Sequence, residues 1–181
     1  MGKRVLVIST SLRRGGNSEA LADEFIRGAM EAGHEVEKIS LSGKKIGFCQ
    51  GCLACLKTGA CVLKDDANQI AQQVFHADVL VFATPIYYYE MSGQMKTLID
   101  RLNPLYGSEY RFRQVYLLAT SADEDGRSMD AAVKGLKGFV DCFERAELSG
   151  VVRGTGADGI GEIKNRPEAL RAAYEMGRSI G

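Results

Sequence analysis

The sequence predicts an α/β fold, a parallel sheet with helices on both faces, and three observations carry that prediction. Strand-like and helix-like patterns alternate five times along the 181 residues. Residues 5–8, 78–83 and 115–121 are near-continuous apolar runs, as expected of strands covered on both faces. Each run stops abruptly at a polar or turn-forming loop. Five parallel strands in a chain of this size take the order 2-1-3-4-5, so strands one and three lie side by side while their connections leave in opposite directions. A crevice then opens at the carboxyl ends of those two strands, and a ligand belongs there.

Composition narrows the rest. A single domain over residues 1–181 is expected, large enough to bury about two thirds of its unfolded surface, with a cysteine-bearing insertion at about residues 42–64. The 23 basic and 23 acidic residues cancel, which argues against a nucleic-acid groove or a basic membrane patch. The apolar run behind Lys3 and Arg4 is too short for a signal segment, and no run reaches transmembrane length, so a cytoplasmic location is expected. Five cysteines, four of them within residues 49–61, do not resemble a secreted disulfide framework and read as ligands or reduced thiols.

Val5, Leu6, Val7 and Ile8 give way at Ser9, Thr10 and Ser11 to a loop containing Arg13, Arg14, Gly15 and Gly16. A helix follows from about Asn17 and Ser18, with Leu21, Ala22, Phe25, Ile26 and Ala29 on one face. The first N–H groups of a helix lack intrahelical partners and its dipole favours an anion there, so this loop is expected to hold a phosphate, with Arg13 or Arg14 as counter-charge. Gly33 ends the helix, and residues 35–41 alternate as a half-exposed edge strand does. Periodicity then disappears over residues 42–64, a length that marks a functional excursion. Asp65 and Asp66 read as the cap of the next helix, through Ile70, Ala71, Val74 and Phe75, not as a metal pair.

The strand at 78–83 ends in Thr84-Pro85-Ile86-Tyr87-Tyr88-Tyr89. A third helix then carries Met91, Met95, Leu98, Ile99 and Leu102 on one face until Pro104 closes it. The strand at 115–121 leads to the acidic loop Asp123-Glu124-Asp125-Gly126 and a long helix through Val133, Leu136, Phe139, Val140 and Phe143. Cys142 on that helix is expected to be buried packing. A last strand at 147–152 and a helix after Pro167 complete the chain. Gly154-Thr155-Gly156-Ala157-Asp158-Gly159 matches G-x-G-x-x-G, but no helix opens directly after it, so it reads as a flexible loop, with a subunit contact as one use for it. His34 and His76 sit alone near helix ends, in surface or capping positions.

A phosphate cradle facing a Pro-Ile-Tyr-Tyr-Tyr loop describes a ligand with an anionic end and a flat aromatic end, and flavin mononucleotide (FMN) has both. STSLRRGGNSEAL followed by TPIYYYEMSGQMKTLIDR resembles the NADPH-dependent FMN reductase family, flavodoxin-like proteins, over nearly the whole chain. That resemblance implies the flavodoxin-like three-layer sandwich, with the phosphate held by Ser11, Arg13, Asn17 and Ser18. It puts Thr84, Pro85, Ile86, Tyr87 and Tyr88 along the flavin ring, and it aligns Ser92, Lys96, Asp100 and Arg101 with the family's S-x-x-x-K-x-x-x-D-R. Thr10 replaces the usual glycine and Leu12 the frequent proline. Ser121 opens the third flavin loop, which is more acidic than the family's small or glycine-rich version.

Cys49, Cys52, Cys55 and Cys61 read C-x2-C-x2-C-x5-C. The spacing is too crowded for the paired ligands of a zinc site, and its first intervals match the bacterial ferredoxin run. Within the family it resembles the iron-sulfur flavoproteins, which carry a [4Fe-4S] cluster beside FMN. A cluster, reduced thiols and zinc all remain open. The resulting expectation is an FMN-dependent oxidoreductase that accepts electrons from NAD(P)H and passes them to a small-molecule or protein acceptor or to a cluster. The cofactor carries the chemistry, so no catalytic side chain is assigned. Relatives in the family are homodimers or homotetramers, which implies a contact through residues 87–91 and the cysteine loop. Two alternatives are kept: an FMN and iron-sulfur electron-transfer protein without NAD(P)H turnover, and a non-enzymatic protein binding a metal or partner through its cysteines.

Overall fold

A computed structural model describes residues 2–181. In chain order its elements are β1 (Arg4–Ser9), α1 (Asn17–Glu31), β2 (Glu35–Ser40), α2 (Cys55–Thr58), α3 (Asp66–His76) and β3 (Val79–Tyr87). They continue with β4 (Glu90–Met91), α4 (Gly93–Arg101), β5 (Gln114–Thr120), α5 (Asp130–Val140), β6 (Glu147–Gly154) and α6 (Pro167–Arg178). The parallel strands lie in the order β2-β1-β3-β5-β6, and β4 pairs antiparallel with the end of β3 alone. Without that short hairpin strand, the order is the expected 2-1-3-4-5.

Strand alternation sends the apolar residues to two separate cores. Val5, Val7, Val79, Val81 and Leu118 face α1 and α6, where Leu21, Phe25 and Ala173 are buried. Leu6, Ile8, Leu80, Phe82 and Leu117 face α3, α4 and α5 through Ile70, Met95, Leu98 and Leu136. Right-handed crossovers require this division, because the connection running from β1 to β2 moves one way across the sheet while those into β3, β5 and β6 move the other.

The third helix starts later than its apolar pattern suggests. Met91, read from the sequence as helical, lies in β4, and α4 begins at Gly93 with the Ser92 hydroxyl accepting from Met95 N–H. The cause is that β3 continues past Ala83 to Tyr87, and a hairpin intervenes before the helix.

α1 and α6 pack almost backbone to backbone. A Cβ on Gly28 would stand 2.1 Å from the Tyr174 carbonyl oxygen, and one on Gly177 would stand 2.1 Å from that of Phe25. Neither neighbour can turn aside as a side chain can. Gly177→Ala is therefore expected to lower unfolding stability in urea by at least about 1–3 kcal/mol, the usual cost of overpacking, even though alanine has the better helix propensity. A midpoint equal to wild type would show that the helices separate freely.

Candidate functional site

At the carboxyl ends of β1 and β3 lies a cleft of about 120 Å³. Ser11, Arg13, Asn17 and Ser18 line it on one side, Pro85, Ile86 and Tyr87 on another, and Ser121 on a third. The two loops that the sequence singles out therefore meet. Thr84 and Tyr88 do not line this cleft: the Thr84 side chain is fully buried behind it and Tyr88 is fully exposed.

The phosphate side has the features an anion requires. Gly16 is the N-cap of α1 with no side-chain cap, so N–H groups of the first turn are left for a ligand. A Cβ on Gly16 would come within 2.9 Å of the Ser11 hydroxyl, so only glycine leaves this approach open. The Ser18 hydroxyl is buried and has no hydrogen-bond partner, an arrangement that costs about 1–3 kcal/mol unless an acceptor arrives. Arg13 donates from Nη1 to the Asp158 carbonyl at 3.2 Å, which holds its guanidinium over the loop.

Asn17 stands differently from its family reading. Its Nδ2 donates to the carbonyls of Ala157 and Gly159, both at 2.9 Å, and its Oδ1 accepts from Ile163 N–H at 3.2 Å. The side chain is fully used in holding the segment after β6. That segment, read from sequence as a flexible loop, is pinned: Ala157 N–H donates to the Ser121 carbonyl, and the N–H groups of Asp158 and Gly159 both donate to Glu162. Ala157 and Asp158 then form a wall of the cleft that sequence reasoning missed. Its only signal was an asparagine at a helix start, with a side-chain NH2 and a carbonyl to satisfy. The Ser121 hydroxyl donates to the Asp123 carbonyl at 3.0 Å and accepts from Ser128 at 3.2 Å.

On the ring side, Tyr88 and Tyr89 form a two-residue turn with φ of +49° and +66°, the left-handed values that asparagine and glycine usually supply. Each costs about 1–3 kcal/mol and persists only if the surroundings enforce it. A buried hydroxyl network does so. Ser92 N–H donates to Thr84 Oγ1 at 3.1 Å, the Thr84 hydroxyl reaches Ser92 Oγ at 3.2 Å, and Ser92 Oγ lies 3.0 Å from Thr10 Oγ1. Thr10 in turn donates to the Ala83 carbonyl. Thr84 thus shapes the hairpin from behind and leaves Tyr87 at the cleft.

The family model described as NADPH-dependent FMN reductase matches residues 3–152. The chain belongs to that family. An iron-sulfur flavoprotein of Methanocaldococcus jannaschii is 35% identical over 98% of this chain and 95% of its own. One from Archaeoglobus fulgidus is 41% identical, but the match spans 52% of this chain and only 43% of that protein. Among solved structures, an NAD(P)H:quinone oxidoreductase from Methanothermobacter marburgensis shares the fold over all of both chains, with a TM-score of 0.76 at 18% identity.

The cysteine loop lines a second, larger cavity of about 560 Å³, together with residues of α4 and α5. Cys49, Cys52, Cys55 and Cys61 all line it, but their sulfurs are not drawn together into one ligand set. Among the described residues, no three His, Cys, Asp or Glu side chains are gathered closely enough to hold a metal ion. Cys55 is buried and Cys61 half-buried, whereas Cys49 and Cys52 are exposed. Cys142, expected as core packing, is also exposed and lines the same cavity, because α5 ends at Val140 and the chain turns out behind it.

Both ends of the cysteine segment are clamped by one buried ion pair. Arg101, at the end of α4, binds Asp65 through two bonds of 2.6 and 2.9 Å and also donates to the Gly47 carbonyl at 2.8 Å. Asp65 caps α3 as expected and accepts from Gly47 N–H as well. Asn68 accepts from Arg101 and donates to the Cys61 carbonyl. Burial alone would raise the Asp65 pKa, but the bonds from Arg101 and from the N–H groups of Gly47 and Ala67 outweigh it and hold the carboxyl below its usual range. Since the folded pKa is the lower one, this carboxylate's contribution is complete above the unfolded value near about 3.9 and is lost as pH falls through the folded value. Asp65→Asn strands a buried guanidinium, so it is expected to cost about 3–5 kcal/mol at neutral pH in denaturant titrations and to flatten the acid limb of stability against pH. A variant as stable as wild type would remove the clamp from this account.

Proposed function

We propose that this chain is an FMN-dependent oxidoreductase taking electrons from a reduced nicotinamide, NADH or NADPH, and passing them to a small-molecule or protein acceptor. The observation that carries the reading is the buried, unpartnered Ser18 hydroxyl beside an uncapped helix start, in a cleft that also presents Tyr87. Ser11, Arg13, Ser18 and the first N–H groups of α1 would hold the phosphate, and Pro85, Ile86 and Tyr87 would border the ring. Asn17 and Thr84 would hold the two walls in position. Bound FMN supplies the hydride and electron chemistry.

A second element of this proposal is a [4Fe-4S] cluster on Cys49, Cys52, Cys55 and Cys61. Four thiols facing one cavity and the names of the relatives support it, and ligation would require the exposed Cys49 and Cys52 to draw in toward Cys55 and Cys61. So many free thiols suit a reducing compartment such as the cytoplasm. The exposed Tyr87, Tyr88 and Tyr89 on a strained turn support a homo-oligomeric contact at this end of the sheet.

The test combines a spectrum with a titration. Protein purified without air should show flavin absorption and oxidise NAD(P)H, and iron and zinc analysis should separate cluster, zinc and free thiols. Loss of one charge-assisted phosphate contact costs about 1.5–3 kcal/mol, so Ser11→Ala with Arg13→Ala should weaken FMN binding at least about tenfold with the fold retained. Undiminished flavin affinity in that double variant, or a wild type that takes up no FMN, would contradict the reading.

A further inference from the structure

Thr10 connects the two walls of the flavin cleft, although it lines neither. It is the first residue past β1, directly before Ser11, and it is fully buried. Its N–H and its hydroxyl both donate to the Ala83 carbonyl, at 2.9 and 3.0 Å. That donation spends the only hydroxyl proton of Thr10, so across the 3.0 Å to Ser92 Oγ it is the serine that donates. The Thr84 hydroxyl completes the chain, with Ser92 Oγ at 3.2 Å and the Pro85 carbonyl at 3.0 Å as its acceptors. Thr84 and Ser92 are fully buried too, so a partner lost from this chain is not replaced from solvent. One end of the chain is therefore fixed to the phosphate loop, where the Ser11 hydroxyl accepts from Arg13 N–H, and the other to the ring wall of Pro85, Ile86 and Tyr87.

We propose that Thr10 is a positioning residue that couples the two ends of the flavin site, so that an anion seated on the phosphate loop raises the affinity of the ring wall for a flavin ring. This inference rests on the flavin reading above. An anion draws Ser11 and the first N–H groups of α1 toward itself, and Thr10 is joined to Ser11 through one peptide bond. Thr10 cannot follow without moving Ser92, which caps α4 and directly follows β4. β4 pairs with Ile86 and Tyr87 across the Tyr88–Tyr89 turn, whose two left-handed residues make it the element most readily displaced. Two sites are coupled when both bias one such element. Glycine at position 10 would keep the backbone bond to Ala83 and leave the Ser92 hydroxyl without its acceptor, so the hydroxyl, not the strand pairing, carries the link.

The experiment titrates the full chain, freed of flavin, with riboflavin, which has the ring and no phosphate. Titrations in saturating inorganic phosphate are compared with titrations in chloride of equal ionic strength, FMN binding is measured alongside, and flavin fluorescence reports all of them. In wild type, phosphate should tighten riboflavin binding at least about fivefold, the low end of ordinary coupling between sites. Thr10→Val, equal in shape but without the hydroxyl, should abolish that gain, and Thr10→Ser should keep it. Ser92→Ala cuts the chain at its middle link and should act as the valine does; it carries the test alone if valine disturbs the loop. Equal riboflavin affinity with and without phosphate in wild type, or an undiminished gain in the folded variants, would overturn the coupling and leave the flavin reading standing. A wild type that binds neither FMN nor riboflavin would overturn both.

Discussion

The opposite departure of the chain from β1 and β3 is the constraint on which the rest of this structure depends. Two parallel strands lie side by side, yet one hands the chain to a helix on one face and the other to a helix on the opposite face. No connection can close over the gap between their carboxyl ends, so the sheet leaves a cleft there whatever residues line it. What the sequence adds is its chemistry: an uncapped helix start and an unpartnered serine on one side, a proline and a tyrosine on the other.

α4 joins that cleft to the cysteine cavity. Its N-cap, Ser92, belongs to the hydroxyl network that enforces the strained Tyr88–Tyr89 turn, and its last residue, Arg101, is the cation of the clamp beneath the cysteine loop. At 1.5 Å per residue the helix separates these two anchor points by about 13 Å. A buried ion pair contributes little net stability against a well-packed apolar alternative, because both charges must leave water. Its evident structural effect here is register: one guanidinium fixes Gly47, Asp65 and Asn68, and so sets where the cysteine segment begins and ends.

Much of this was legible in the sequence because it depends on local pattern. The apolar runs at 5–8, 78–83 and 115–121 gave their strands, and the parallel order followed from alternation and handedness. Ser11, Arg13, Ser18, Pro85, Ile86, Tyr87 and Ser121 do meet at one cleft. What stayed hidden is held by contacts distant in sequence. Asn17 looks like a ligand until its partners, more than a hundred residues away, are seen to occupy all its polar atoms. The 154–159 segment looks flexible because its glycines are visible and its hydrogen bonds to Asn17, Ser121 and Glu162 are not. The hairpin was missed because Tyr-Tyr is among the least expected pairs for a turn with two positive φ values. Cys142 followed the apolar rhythm of α5, but the helix stops two residues before it.

The central claim, that one cleft at the ends of β1 and β3 receives both the phosphate and the ring of a flavin, is tested most directly by mapping amide chemical shifts in the isotope-labelled chain as FMN is added. The largest changes are expected at Gly16, Asn17, Ser18 and Glu19, with a second group at Ile86 and Tyr87 and a third at Ala157 and Asp158. Changes confined to the cysteine cavity, or to only one of the two strand ends, would contradict it.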